Sequence, residues 1–139
     1  MKILVDTCVW SIALRRAVNI KNAHLDELKE LIMEVRVQLI GAIRQEILSG
    51  IKTSEQFHSV KSHLSAFTDL NLAEADYELA AEYFNLLRNK GIQGSNTDFL
   101  ICAVSTNHRM PIFTLDKDFE LFKKHIPIQL HKNRKINPD

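Results

Sequence analysis

Two stretches decide the fold of this chain: Ser95-Asn96-Thr97-Asp98-Phe99-Leu100-Ile101-Cys102-Ala103 and Pro111-Ile112-Phe113-Thr114-Leu115-Asp116-Lys117-Asp118-Phe119. The first has no polar face from Phe99 to Val104, which predicts a helix buried inside a layered core. Its first turn nevertheless carries a carboxylate, Asp98. The second is a short apolar run that opens after a proline and ends in Thr-Leu-Asp, a pattern typical of a buried parallel strand with an acid at its C-terminal end. We therefore expect both acids at one edge of a sheet.

Strands and helices alternate along the whole chain. Strands are predicted at 2–6, 37–40, in the run that opens at Pro111, at 127–130 and, in short form, at 69–72. Helices are predicted between them at 7–16, 22–35, 43–49, 54–67, 74–89 and 117–124, in addition to the buried helix. This alternation favours an α/β layer fold with a mainly parallel sheet, in which ligands gather at the carboxyl ends of the strands.

Length and composition are those of an ordinary globular protein. The chain has 139 residues, of which 45% are hydrophobic and 25% charged, with no linker or repeat, so we expect a single domain over residues 1–139. The first residues lack the long apolar stretch of a signal peptide, which makes the cytoplasm the expected location. Cys8 and Cys102 lie in apolar stretches and are expected to be buried free thiols.

Charge is unevenly distributed although the formal net charge is only +1. From Ser65 to Leu87 the chain has acids and no Lys or Arg, a pattern that we interpret as a solvated helix face rather than a binding surface. The end of the chain is basic and either solubilises the protein or contacts phosphates. The residues concerned are Lys123, Lys124, Lys132, Arg134 and Lys135.

Four acids fall where the predicted elements meet at one edge. Asp6 ends the first strand, Asp116 ends the strand that opens at Pro111, Asp98 begins the buried helix, and Glu46 lies in the helix after the second strand. Clustered carboxylates repel each other unless a cation lies among them, and oxygen ligands suit Mg²⁺ or Mn²⁺. Such a metal activates a water molecule and polarises a phosphoryl oxygen, as hydrolysis of a phosphodiester requires.

Each acid also has a purely structural explanation. Asp98 fits a capping box with Ser95, Asp116 could cap the helix that follows it, and Glu46 could be a surface residue. Asp6 is harder to explain in this way because it lies between an apolar strand and an apolar helix, where a carboxylate needs a partner. The four acids together favour a metal site over four separate structural roles.

The same residues resemble a known family. Leu4-Val5-Asp6-Thr7, Glu46-Ile47-Leu48-Ser49-Gly50, Asn96-Thr97-Asp98-Phe99-Leu100-Ile101-Cys102-Ala103 and Thr114-Leu115-Asp116-Lys117-Asp118-Phe119 are similar, in order and spacing, to the acidic motifs of PIN-domain ribonucleases, most of all the VapC-type toxins. The resemblance implies a central parallel sheet of four or five strands flanked by helices. It also implies cleavage of RNA with Mg²⁺ or Mn²⁺, a homodimer, and inhibition by a VapB-type antitoxin.

Position by position, the resemblance assigns catalytic roles to Asp6, Glu46, Asp98 and Asp116. Asp6, Asp98 and Asp116 would hold the metal, while Glu46 would bind it or orient the attacking water. Thr114 is a polar neighbour of the site, and the resemblance leaves open whether Asp118 also approaches the metal. Cys102 departs from the small residue, such as Ala, that the family usually has there. Candidates for contacts with RNA phosphates are Arg15, Arg16, Lys123 and Lys124.

Other function classes fit less well. A phosphatase of the haloacid dehalogenase type needs Asp-x-Asp-x-Thr/Val, which neither Asp6-Thr7-Cys8 nor Asp116-Lys117-Asp118-Phe119-Glu120 provides. A receiver-type signalling domain needs paired acids after its first strand and a lysine after its last strand, and neither is evident in this sequence. The six histidines have no metal-ligand spacing and are expected to be ordinary surface or packing residues. A housekeeping RNA-processing PIN nuclease and a non-catalytic PIN-like binding module both stay open.

Overall fold

A computed structural model describes residues 1–14 and 22–136 of the chain. The described parts contain both strands and helices, as an α/β fold requires, although two helices separate β1 from β2 and four separate β2 from β3. The strands are β1 (Ile3–Val5), β2 (Val37–Gln38) and β3 (Ile112–Phe113). The helices are α1 (Thr7–Leu14), α2 (Ala23–Met33), α3 (Gly41–Leu48), α4 (Ser54–Leu64), α5 (Glu74–Asn89), α6 (Asn96–His108) and α7 (Asp118–Lys123).

The sheet is parallel and has the order β2-β1-β3. Leu4 of β1 is paired with Gln38 on one side and with Ile112 on the other. The next strand in the chain, β2, therefore pairs with one edge of β1, and β3, which comes much later in the chain, pairs with the other edge. This reversal creates a topological switch point between β1 and β3, where ligands bind in open sheets of this kind.

The described sheet has three strands, fewer than the four or five that the family resemblance implies. The two missing segments are nevertheless in place, because Asp69 forms a parallel bridge with Leu39 and Leu130 forms one with Ile112. At Leu130 the pairing consists of this single bridge, and the segment before it forms a local bond of its own: the Ile128 N–H donates to the Ile126 carbonyl at 2.9 Å. Each outer strand is thus reduced to a single bridge.

The α6 helix is the buried helix that the sequence predicts. Its buried residues are Phe99, Ile101, Cys102, Ala103, Val104 and Ser105. Helix α5 packs along it, with the Phe84 and Phe99 rings 5.6 Å apart and nearly perpendicular. The α5 boundaries agree with the prediction, whereas α4 ends at Leu64, three residues earlier than expected. Helix α1 is described only to Leu14, so the predicted end near Arg16 lies outside the described residues.

The acidic stretch from Ser65 to Leu87 is not simply a solvated face. Asp69 accepts hydrogen bonds from the Arg44 guanidinium, which also donates to the carbonyls of Leu64 and Phe67. Asp76 is only 2% exposed and accepts from Asn107 at 3.0 Å. Both acids therefore connect elements that are distant in sequence, which periodicity alone does not indicate.

The basic C-terminal segment, residues 131–136, folds onto α2. The fully buried Glu27 carboxylate is 2.7 Å from His131 Nε2 and accepts from the Arg134 guanidinium at 3.0 Å. Arg134 also pairs with Glu34 at 3.1 Å, and Lys135 pairs with Glu30. Arg134 and Lys135 are thus paired with acids in and directly after α2, a role that differs from both alternatives considered from the sequence, solubilising the protein and contacting phosphates.

Both cysteines are free thiols, as expected, but only Cys102 is buried, whereas Cys8 is half-buried. Burial raises the pKa of both. Among the described residues, no helix has both the length and the apolar character needed to cross a membrane.

Candidate active site

Asp6 is the most enclosed acid of the predicted site. It follows β1 directly and is only 6% exposed. Its carboxylate accepts hydrogen bonds from the Thr7 backbone N–H and from the Thr114 hydroxyl, both at 2.8 Å. The Cys8 thiol lies 3.5 Å from the same carboxylate. Because these donors come from the start of α1 and from the residue after β3, the switch point between the two strands fixes the orientation of Asp6.

Thr114 connects Asp6 to Asp116. While its hydroxyl donates to Asp6, its oxygen accepts the backbone N–H of Asp116 at 3.0 Å. The exposed Asp116 carboxylate in turn accepts the N–H of Asp118, the first residue of α7, at 2.9 Å. Asp118 contributes a backbone donor to this arrangement. Whether its carboxylate approaches a metal stays a prediction.

Glu46 is brought to the same edge by an unexpected partner. The Thr7 hydroxyl donates to Oε1 of Glu46, 39 positions away in the sequence. Helix α1 begins at Thr7, and the Asp6 carbonyl accepts the Trp10 N–H in its first turn. The Thr7 side chain is therefore available to hold an exposed acid of α3.

Asp98 forms the predicted capping box at the start of α6. Its carboxylate accepts the Ser95 N–H at 3.0 Å, and its own N–H donates to the Ser95 hydroxyl at 3.1 Å. The hydrogen bond from Ser95 leaves other acceptor sites of the Asp98 carboxylate free, because an ionised carboxylate has about four. The capping role is therefore compatible with a second role at the carboxyl edge of the sheet. We call this edge, with Asp6, Glu46, Asp98 and Asp116, the acid edge.

The pKa values of Asp6 and Asp98 are both raised. Burial is the largest cause for each, and the hydrogen bonds from Thr114 to Asp6 and from Ser95 to Asp98 offset part of the effect. The charge of Asp98 raises the pKa of Asp6 further, while the charges of Asp116 and Glu46 raise that of Asp98. Like charges have this effect only at short range, so the four acids, although they come from separate elements, share one electrostatic environment.

The acid edge is open rather than a closed metal cage. Within residues 1–14 and 22–136, no three His, Cys, Asp or Glu side chains are close enough together to enclose a metal ion. The donors at the edge are carboxylate oxygens under mutual repulsion, which suits a hard cation. Mg²⁺ usually keeps several waters and takes only one or two carboxylates together with phosphate oxygens, so an open set of acids fits it and the similar Mn²⁺.

Comparison with known proteins identifies the family. The sequence profile of the PIN domain matches residues 3–124. The chain belongs to the PIN domain family. No protein with a curated description matches it in sequence.

Solved structures share the fold of this PIN domain. FitAcB from Neisseria gonorrhoeae has a TM-score of 0.74 at 20% identity, over 94% of this chain and 97% of that one. VapBC2 from Rickettsia felis, bound to a DNA fragment from their promoter, has a TM-score of 0.76 at 18% identity, over 94% and 98%. VapBC-5 from Mycobacterium tuberculosis, a member of the VapBC family of toxin-antitoxin systems, has a TM-score of 0.66 at 16% identity, over 93% and 96%. At sequence identities this low, the structural similarity establishes a shared fold and nothing more.

Sequence reasoning missed two contributors to this edge of the PIN domain. Thr7 holds Glu46, and Cys8 accepts the Leu115 N–H at 3.3 Å, so α1 contacts both the α3 acid and the segment after β3. No local spacing signals either contact, because their partners are far away in sequence.

Of the candidate phosphate contacts, Lys123 and Lys124 are exposed at the end of α7, while Arg15 and Arg16 lie outside the described residues.

Proposed function

We propose that this PIN domain is a metal-dependent endoribonuclease. The single observation that carries the proposal is the hydrogen-bonded arrangement at the carboxyl edge of the sheet, where Thr114 bonds to both Asp6 and Asp116 and Thr7 bonds to both Asp6 and Glu46. The charge of Asp98, at the start of α6, raises the pKa of Asp6. The buried structural acid Glu27 is paired with a cation, Arg134. The acids at the carboxyl edge repel one another instead, an arrangement that a bound cation relieves.

Each acid has its own part in the proposed reaction. Asp6, Asp98 and Asp116 would hold Mg²⁺ or Mn²⁺, and Glu46 would bind the metal or orient the water that attacks the phosphate. When bound, such a metal supplies an activated water and charge stabilisation at a phosphoryl oxygen. Thr114 keeps Asp6 and Asp116 in fixed relative positions, and Thr7 does the same for Glu46. Neither thiol serves as a nucleophile, since burial raises the pKa of both.

We further propose that the protein acts as the toxin of a VapBC-type pair. Support comes from the ordered acidic motifs and from the fold shared with VapBC2 and VapBC-5. The partners would be an RNA substrate, a VapB-type antitoxin and a second copy of the chain. A housekeeping RNA-processing enzyme would share the acid site and cut RNA without arresting growth. A binding module would not cut RNA.

Cleavage of single-stranded RNA by purified protein tests the nuclease proposal. Asp98→Asn removes one negative charge from the acid edge, so we expect the cleavage rate with Mn²⁺ to fall about 100-fold or more. Asp76→Asn is a matched control, because Asp76 caps α5 through the Ala73 N–H at 2.9 Å just as Asp98 caps α6. Equal cleavage by wild type and Asp98→Asn would refute the proposed metal site.

Induced expression separates a toxin from a housekeeping enzyme. Wild type alone should arrest growth, whereas Asp98→Asn at equal protein level should be tolerated. RNA cleavage in vitro without growth arrest would favour the housekeeping alternative.

A further inference from the structure

A cleft of about 320 Å³ opens beside the acid edge, next to Asp116. Thr114 and Asp116 line this cleft and also belong to the candidate active site. The rest of its lining comes from α2, α7, the segment before α7 and the C-terminal segment: His24, Leu115, Lys117, Glu120, Leu130 and His131. The cleft is therefore continuous with the position where a phosphodiester would meet the carboxylates.

Aromatic rings form one wall of the cleft. The His24 ring centre lies 6.5 Å from that of Phe113, which lies 5.4 Å from that of His131. Phe113 is buried behind the wall, while His24 is half-buried. Proteins that recognise single-stranded RNA stack unpaired bases on rings of this kind, histidine included.

Contacts within the protein hold the His24 and His131 rings of this wall in place. The Asn133 side-chain nitrogen donates to the Ala23 carbonyl and lies 3.0 Å from Nδ1 of His24. His131 is fixed on the other side by its contact with the buried Glu27 carboxylate. Side chains that are ordered before binding lose less conformational entropy on binding, so a preformed wall favours a ligand.

Charge and size indicate a base rather than a phosphate. The carboxylates of Asp116 and Glu120 lie on the lining and repel a phosphate, whereas a base is uncharged and can donate N–H groups to a carboxylate. The half-buried Leu115 and Leu130 add apolar contact. A volume of about 320 Å³ is at the lower end of the roughly 300–1,000 Å³ found for small-molecule sites, which suits one base and not several.

We propose that this cleft binds one unpaired base of the RNA, next to the phosphodiester that is cut, with His24 as the stacking surface. Lys117 lies at the exposed rim, where the RNA backbone would pass. The proposal rests on the proposed ribonuclease function and adds the way in which the substrate is positioned.

The test is cleavage of short RNA oligonucleotides in which one nucleotide at a time is abasic. For wild type, one abasic position beside the cut should lower kcat/KM about tenfold, the size expected for loss of one base–ring stack. His24→Ala should lower kcat/KM on intact RNA by a similar factor and be insensitive to that abasic position. His24→Phe keeps a ring and should keep the sensitivity, which separates stacking from loss of fold. Lys2→Ala is the control, because Lys2 is exposed at the start of β1, away from the carboxyl edge.

The possible failures are distinguishable. If the proposed function is wrong, wild type cuts none of the oligonucleotides, and the base site falls with it. If only the base site is wrong, wild type cuts them and His24→Ala shows the same pattern of abasic sensitivity. Unchanged RNA cleavage by His24→Ala combined with loss of a protein partner would assign the cleft to that partner and overturn the proposal.

Discussion

The Thr7 hydroxyl ties an acid of α3 to the start of α1, beside Asp6. Thr7→Val keeps the shape of the side chain and removes the hydrogen bond to Glu46. A hydrogen bond to a charged group contributes about 1.5–3 kcal/mol, so we expect kcat/KM for RNA cleavage to fall about tenfold or more. Thr7→Ser retains the hydroxyl and should restore most of the rate. A Val variant as active as wild type would show that Glu46 needs no positioning by Thr7.

Glu27 is the residue through which α2 holds the C-terminal segment. Burial by itself would raise its pKa, but hydrogen bonds from Arg134 and His131 outweigh burial and lower the pKa to about 2. Because the folded-state pKa lies below the ordinary value of 4.5, the stabilising contribution is complete above pH 4.5 and is lost as the pH falls toward 2. At about 1.4 kcal/mol per pKa unit, the contribution is up to roughly 3 kcal/mol.

Urea unfolding at several pH values tests this attachment of the C-terminal segment to α2. Glu27→Gln should lower the free energy of unfolding at pH 6 and lose its difference from wild type as the pH drops below 4.5. Glu30→Gln is the control, because the Glu30 side chain is 46% exposed and pairs with Lys135 at the surface, where ion pairs contribute little. A difference for Glu27→Gln that is independent of pH would contradict the assignment.

The pairing of the C-terminal segment with α2 divides four of the basic residues near the end of the chain into two groups. Arg134 and Lys135 pair with α2, whereas Lys123 and Lys124 are exposed at the end of α7. Replacing Lys123 and Lys124 with Ala should weaken RNA binding and reduce its dependence on salt, because phosphate contacts release counterions. Replacing Arg134 and Lys135 should lower stability with less effect on RNA affinity. Fluorescence anisotropy at several salt concentrations measures both, and a larger loss of RNA affinity from the second pair would reverse the assignment.

Binding of a metal at the acid edge should stabilise the whole domain, because its acids come from the residue after β1, from α3, from α6 and from the segment after β3. Mn²⁺ at 100 times its Kd adds about 2.7 kcal/mol to the free energy of unfolding, which corresponds to a rise in Tm of roughly 10 °C for a chain of this size. EDTA should reverse the rise. We expect one cooperative thermal transition in both conditions.

Variants identify the source of that rise in Tm. Asp98→Asn relieves charge repulsion without metal, so it should raise the Tm in EDTA and shrink the shift caused by Mn²⁺. Asp76→Asn removes a buried carboxylate that binds Asn107 and His108, so it should lower the Tm and leave the Mn²⁺ shift intact. An undiminished shift in Asp98→Asn would leave Asp98 with its capping role alone.

The sequence alone determined the features that depend on neighbouring residues. The apolar run of α6, its capping box at Ser95 and Asp98, and the acids that follow β1 and β3 can all be read from spacings of a few residues. Parallel strands bring their carboxyl ends to one edge, so these local features were enough to predict the fold class and the position of the acids after β1 and β3 at the same edge.

Only the tertiary structure decided which distant side chains pair. The partner of Thr7 is 39 positions away, and Glu27 contacts Arg134 across 107 positions, so no helical or strand period relates them. The outer strands are reduced to single bridges, Leu39 to Asp69 and Ile112 to Leu130, which the alternation of the sequence does not indicate. Periodicity determines which face of an element is buried, whereas the packing of elements against each other determines the partner of each polar group on that face.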